Sequence, residues 1–180
     1  MVELCENFDP LKFNEVRIVF WGGEPMLNSG FIEQVVETTS KYKFVTYMMY
    51  SNGTLFDAYK DFIENPVVAN NNYRFEVQLS YDGSPHNEKM RGYNEDDILK
   101  TARLLFNAGF KLSFKATLTF TMIKHFADAW QSYEKLYDEF GDNARYSPTL
   151  DTTNFGIDDE SKEEWKKQVI EVAKLEYKFI

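Results

Sequence analysis

The run Val16-Arg17-Ile18-Val19-Phe20-Trp21-Gly22-Gly23-Glu24-Pro25 reads as a buried parallel strand closed by two glycines, a carboxylate and a proline. Nearly continuous apolar character is what a strand covered on both faces requires. Glycine lets another molecule approach the main chain closely, and proline fixes the exit of the chain. Loops at the carboxyl ends of strands are where α/β folds place their ligands.

Working outward, strand-like runs recur at Phe44–Tyr50, Phe75–Ser80, Leu112–Thr121 and Ala144–Leu150, with helix-like segments between them. Phe31, Ile32, Val35 and Val36 share one face of a predicted helix, and Phe56, Tyr59, Phe62 and Ile63 share one face of a second. A third helix starts at Asn94 or Glu95, turns Ile98, Leu99, Ala102, Leu105 and Phe106 inward, and ends at Gly109. A fourth ends at Gly141, and a last one, from Ser161 to about Lys178, aligns Trp165, Val169, Val172, Ala173 and Tyr177 against the outside of a sheet. Strands joined by helices of this length imply parallel pairing with right-handed crossovers. A doubly wound sheet and a complete or partial (β/α) barrel both satisfy that pattern.

The chain has 180 residues, 43% hydrophobic and 17% aromatic, enough for a single domain with a sizeable core and too few for two comfortable ones. A formal charge of -9 and a pI near 4.8 argue against nucleic acid or an anionic membrane surface as partner. No apolar stretch reaches the roughly 20 residues of a membrane span, and the first residues lack a signal-peptide pattern, so a cytoplasmic protein is expected. Cys5 is the one cysteine, and His86 and His125 lie far apart. Neither a disulfide nor a Cys- or His-rich metal site is expected from this chain alone.

Three successive strands end in small polar residues: Trp21-Gly22-Gly23-Glu24-Pro25, Ser51-Asn52-Gly53-Thr54 and Ser80-Tyr81-Asp82-Gly83. Each alone is an ordinary turn. In a parallel sheet the three lie side by side on one rim, and that repetition points to a ligand.

These stretches resemble the radical S-adenosylmethionine (radical SAM) superfamily, in particular its peptide- and sulfatase-modifying branch, which often carries a SPASM domain. Phe20-Trp21-Gly22-Gly23-Glu24-Pro25-Met26-Leu27 is similar to the family's GGEP strand, and Tyr50-Ser51-Asn52-Gly53-Thr54-Leu55 to its T/S-N-G-T-L strand. Gln78-Leu79-Ser80-Tyr81-Asp82-Gly83-Ser84-Pro85-His86, with Arg91 beyond, is similar to the S-x-D-G stretch that runs on to H-D-x-x-R. The resemblance covers residues 15 to 125 well and the remainder loosely. It implies a partial (β/α)6 barrel, of which this chain carries about five βα units, and S-adenosylmethionine (SAM) as cofactor.

The resemblance also implies roles. Glu24 and the carbonyls of Gly22 and Gly23, with Pro25 closing the loop, would receive the ammonium group of SAM. Ser51, Asn52 and Ser80 would serve its carboxylate and ribose, and Arg91 is either a charge partner for the carboxylate or a surface arginine. Asp82 is a cofactor ligand or, more simply, a turn former. Asp151, at the end of the last strand, is either a substrate-side proton-transfer acid or a cap. His86 aligns with the family histidine, but Asn87 stands where an aspartate is usual.

The family holds a [4Fe–4S] cluster on three thiolates of a C-x-x-x-C-x-x-C loop that precedes GGEP. Cys5 is followed by Glu6-Asn7-Phe8-Asp9, and one thiolate cannot hold a cluster. Residues 1–180 are therefore expected to be a single domain lacking the first βα unit, the cluster loop and a SPASM extension, with Val16–Trp21 as a bare edge awaiting the missing segment or a partner chain. The implied substrate is a peptide or protein side chain, modified through a 5′-deoxyadenosyl radical. The alternative is a cluster-free module that binds SAM or a peptide without radical chemistry.

Overall fold

The structure is a computed structural model that describes residues 2–84, 86–119, 126–146, 149–150 and 159–176. Elements follow in the order α1 (Val2–Glu6), β1 (Val16–Phe20), α2 (Ser29–Thr39), β2 (Val45–Ser51), α3 (Phe56–Glu64), α4 (Pro66–Ala69), β3 (Phe75–Ser80) and α5 (His86–Arg91). The chain continues with α6 (Glu95–Asn107), β4 (Lys111–Lys115), β5 (Thr117–Leu118), α7 (Phe126–Phe140), β6 (Ala144–Tyr146), β7 (Thr149–Leu150) and α8 (Asp159–Glu176). The main sheet has the order β1-β2-β3-β4-β6, open rather than closed, and β5 pairs with β7 in a two-stranded parallel ribbon. This is the α/β fold expected from the strand-helix alternation, in the partial-barrel form that the family resemblance implied. Two compact units make up the chain, Met1–Ser80 with Asp96–Ser113 and Tyr81–Glu95 with Phe114–Ile180.

In the first unit, β1 pairs in parallel with β2 (Val16 beside Val45, Phe20 beside Met49), and β2 with β3 (Tyr47 beside Phe75, Ser51 beside Leu79). Strand side chains alternate between faces, so Val45, Tyr47 and Met49 of β2 and Phe75, Val77 and Leu79 of β3 all point to the helices and are fully buried. The Phe75 ring stacks on Tyr47 and meets Phe62 of α3 edge-on, with centroids 4.7 and 5.9 Å apart. The α6 helix buries Ile98, Ala102 and Leu105. It ends as predicted, Gly109 N–H donating to Phe106 O and Phe110 N–H to Leu105 O, the pairing of a Schellman cap.

Arg74 is 8% exposed, and the hydrogen bonds of its guanidinium run to neutral oxygens. Its guanidinium donates to Val45 O (2.7 Å), Ser40 O (2.9 Å), Tyr42 O (2.5 Å) and Asn71 Oδ1 (3.0 Å). It thereby meets carbonyls just beyond the carboxyl end of α2, where the helix dipole favours a cation.

The second unit buries Tyr81, Phe114, Tyr133 and Phe140. Tyr133 Oη donates to Tyr81 O at 3.0 Å. Trp165 of α8 lies against Phe126 of α7, with centroids 5.4 Å apart.

Three sequence expectations are corrected. The single long strand expected over Leu112–Thr121 breaks after Lys115, because Thr149 N–H donates to Ala116 O and Thr117 N–H to the Asp82 carboxylate, diverting the backbone from the main sheet. The strand expected over Ala144–Leu150 likewise divides into β6 and β7. Phe31, expected to be inward, is 53% exposed beside the open β1 edge, while Val35 and Val36 carry the contact.

Candidate functional site

The turn after β1 is organised by one carboxylate. Glu24 caps the 3-10 turn Pro25–Asn28, its Oε1 accepting from Met26 N at 3.2 Å. The same oxygen accepts from Ser51 Oγ at 2.8 Å, and Oε2 accepts from Asn52 N at 2.8 Å. Three donors from two neighbouring strand ends thus converge on Glu24, and bonds to an ionised acceptor are the stronger kind. Tyr59, fully buried in α3, stands behind this knot. Burial pushes its hydroxyl pKa well up, Ser51 opposes that and the Glu24 charge adds to it.

The second strand end is tied as tightly. Ser51 Oγ accepts from Gly53 N at 3.0 Å, and Asn52 Oδ1 accepts from Thr54 N at 2.9 Å and Thr54 Oγ1 at 2.8 Å. Gly53 sits at φ +74°, where a side chain is strained, and a Cβ there would stand 3.2 Å from Leu79 Cδ2. Thr101 Oγ1 of α6 donates to Gly53 O at 2.7 Å.

In front of the knot, Trp21, Gly22, Gly23, Glu24, Pro25 and Phe31 help to line an open groove of about 320 Å³. A Cβ built on Gly22 or on Gly23 would meet nothing within 4 Å. The main chain is bare there because open space faces it, which is what approach of a small polar ligand needs. Trp21 is 85% exposed at the mouth.

Of the residues expected from the sequence, Gly22, Gly23, Glu24, Pro25, Ser51 and Asn52 come together in this arrangement. Ser51 is 3% exposed and serves the knot, and the Asn52 side-chain oxygen serves a local turn. Ser80 ends β3 in the same unit, half-buried. Arg91 belongs to the second unit and binds Asp82 through two bonds, Nε to Oδ2 at 2.5 Å and Nη2 to Oδ1 at 2.9 Å. Asp82 is 2% exposed and also accepts from Thr117 N at 3.0 Å. Burial alone would lower the Arg91 pKa, but the hydrogen bond and charge of Asp82 reverse this and hold it above its usual value. Asp151 lies outside the described residues.

Sequence reading missed the polar set Glu76, Gln78 and Ser113. A signal was available, since Glu76, Gln78 and Ser80 alternate with Phe75, Val77 and Leu79 and so share the opposite face of β3. It also missed that Asp82 is the buried partner of Arg91. The spacing of nine residues carries no helical or strand period that would have revealed it.

The SAM expectation meets an open groove, bare glycine main chain and an ordered carboxylate, which fit a zwitterionic ligand. The cluster does not fit. Cys5 is 3% exposed within α1, and among the described residues no group of three or more His, Cys, Asp or Glu side chains is placed to hold a metal ion.

An open α/β sheet whose loops of interest follow the strands at their carboxyl ends defines the class, a partial barrel of βα units. The family is more particular. Residues 2–140 match the family model of the radical SAM superfamily, and the chain belongs to that superfamily. No curated protein matches the chain. Among solved structures it is similar to native anSMEcpe, an anaerobic sulfatase-maturating enzyme, with bound SAM (TM-score 0.66, 17% identity, 93% of this chain and 47% of that one). The same enzyme with bound SAM and a peptide matches at a TM-score of 0.65, 17% identity, and 87% and 46% coverage. A spore photoproduct lyase variant with bound SAM and a dinucleoside spore photoproduct matches at 0.62, 10% identity, and 93% and 48% coverage. At such identities the likeness is one of fold, and this chain spans about half the length of these solved relatives.

Proposed function

We infer that this chain is the SAM-binding portion of a cytoplasmic radical SAM enzyme that modifies peptides or proteins, with the cluster ligands supplied by polypeptide outside residues 1–180. The carrying observation is the Glu24 knot with open glycine main chain in front of it. In this reading the carbonyls of Gly22 and Gly23, with Glu24, receive the ammonium group of SAM, and Pro25 fixes the loop. Ser51 and Asn52 hold that loop against β2, while Ser80 faces the ribose or carboxylate. Arg91, bonded to Asp82, orders the turn after β3. SAM, once reductively cleaved in enzymes of this family, supplies the oxidising radical, and the present residues contribute binding and orientation only. The peptide class is supported by the similarity to a sulfatase-maturating enzyme solved with a peptide.

The exposed apolar residues support a covering segment beside β1. Of the eleven large apolar side chains exposed among the described residues, seven (Leu4, Leu11, Phe13, Val19, Trp21, Leu27 and Phe31) lie within the first 31 positions, Val19 on the edge strand itself; the others are Tyr73, Tyr137, Val169 and Ile170. A strand edge of this kind pairs with another strand. No helix of the described residues is long and apolar enough to cross a membrane.

A second reading, a cluster-free module binding SAM or a peptide, is favoured by one observation, the burial of the one cysteine. Titration calorimetry with SAM tests the common part: binding that is lost in Gly23→Val supports it, and no binding by the wild-type chain overturns it. Iron uptake during anaerobic reconstitution, with and without a polypeptide carrying the cysteine loop, separates the two readings.

A further inference from the structure

Around β1 the odd positions carry Leu11, Phe13, Glu15, Arg17, Val19 and Trp21, all exposed, while Ile18 and Phe20 between them are buried. The order is two apolar residues, an acid, a base and two apolar residues. Read backwards it is the same with the charges exchanged, so the run is complementary to its own reverse.

The main chain is set up to use that complementarity. Val16 N–H donates to Phe44 O at 3.0 Å, and main-chain groups alternate in direction along a strand. Those of Arg17 and Val19 therefore point away from β2, toward the open side of the outermost strand. The two charges are held in place: Arg17 Nη2 donates to Glu15 Oε1 at 2.9 Å, and Thr46 Oγ1 donates to Glu15 Oε2 at 3.2 Å. At the amino end, Lys12 N and Phe13 N both donate to Asp9 O at 3.1 Å. That turn ends the extended run at Phe13.

We propose that a second copy of this chain docks on this edge, β1 pairing antiparallel with the partner's β1 about a two-fold axis at Val16. Glu15 then stands opposite the partner's Arg17, and Phe13 opposite the partner's Val19. Only registers that set outward-facing residues against each other can form the ladder. The next such register in one direction opposes Arg17 to the partner's Arg17, and in the other it opposes Glu15 to the partner's Glu15. Like charges directly opposite are destabilising, so charge selects the register. A two-fold interface uses one patch twice and closes at the dimer. This inference does not depend on what the groove binds. A covering segment claims the same main-chain groups, so that segment and a second copy exclude each other on this edge.

Sedimentation equilibrium of the full chain should show monomer–dimer exchange with a dissociation constant on the order of 10 µM, at the weak end for a specific interface. Glu15→Lys and Arg17→Glu each oppose like charges and should weaken dimerisation about tenfold. An equimolar mixture of the two variants puts opposite charges together at both crossings and should dimerise as the wild type does. The chain carrying both substitutions should do the same. Hydrogen exchange on the wild type gives a reading that needs no variant: the amides of Glu15 and Arg17 should slow as chain concentration rises. A wild-type chain that stays monomeric at about 100 µM overturns the proposal. So do folded single variants that associate as tightly as wild type, a mixture that stays monomeric, species that grow past the dimer, or Glu15 and Arg17 amides that exchange equally fast in the dimer.

Discussion

A single carboxylate, Glu24, joins the end of β1 to the end of β2. Replacing it with Gln puts an NH2 group where a backbone N–H or a hydroxyl now donates, so at least one buried donor loses its acceptor. Glu24→Gln should lower stability by about 1 to 2 kcal/mol and weaken SAM together with it, as urea denaturation and calorimetry would show. Asp82 poses the same question more severely, because it is buried and holds both Arg91 and Thr117 N–H. Asp82→Asn leaves an uncompensated guanidinium and should cost about 3 kcal/mol, read as a drop in the urea midpoint. The sequence made Glu24 legible because four residues of one motif stood together. Asp82 was visible as half of an Asp-Gly turn, whereas its pairing with Arg91 depends on how the intervening turn folds, and no local pattern encodes that.

Elements were read well where periodicity was strong and less well where polar groups intervened. The third strand matches its predicted span, since Phe75, Val77 and Leu79 alternate with polar residues. The fourth does not, because Asp82, far away in sequence, captures the amide of Thr117. A strand propensity over 112–121 cannot register a competitor 35 residues upstream. The turn after β3 also fixes helix α7: Gly83 has φ +80°, and a Cβ there would stand 2.9 Å from Ala129 Cα. Ser84 N–H donates to Ser132 Oγ of the same helix at 3.0 Å. Gly83→Ala should therefore cost about 2 kcal/mol or more, from left-handed strain plus contact with backbone that cannot yield. Thermal unfolding monitored by circular dichroism would register it.

Across the molecule, burial governs the alkaline limit. It pushes the hydroxyls of Tyr59, Tyr133 and Tyr146 up, and burial with the Glu95 hydrogen bond does the same to Tyr81. The unfolded chain ionises these groups near pH 10, while the folded chain keeps their protons. Stability from them is complete below pH 10 and is lost above it, by about 1.4 kcal/mol per pH unit for each tyrosine. Absorbance at alkaline pH should show these four tyrosines ionising only with unfolding. The apolar edge sets a second whole-molecule property. Val19→Lys places a charge on an exposed edge position and should reduce self-association in light scattering without changing the urea midpoint. Composition gave no sign of where exposed apolar surface would gather, but the family resemblance implied a bare edge at Val16–Trp21, and in the sheet order β1 is outermost.

The guanidinium of Arg74 has a consequence for how the chain is made. It closes carbonyls of Ser40, Tyr42 and Val45 that are 29 to 34 residues earlier in the sequence. During synthesis from the amino terminus, α2 and the start of β2 emerge before the residue that completes them. Tyr42 O already accepts from Val45 N within this segment, but the guanidinium bonds to Ser40, Tyr42 and Val45 form only once residue 74 arrives, so this junction acquires its final form together with the third strand.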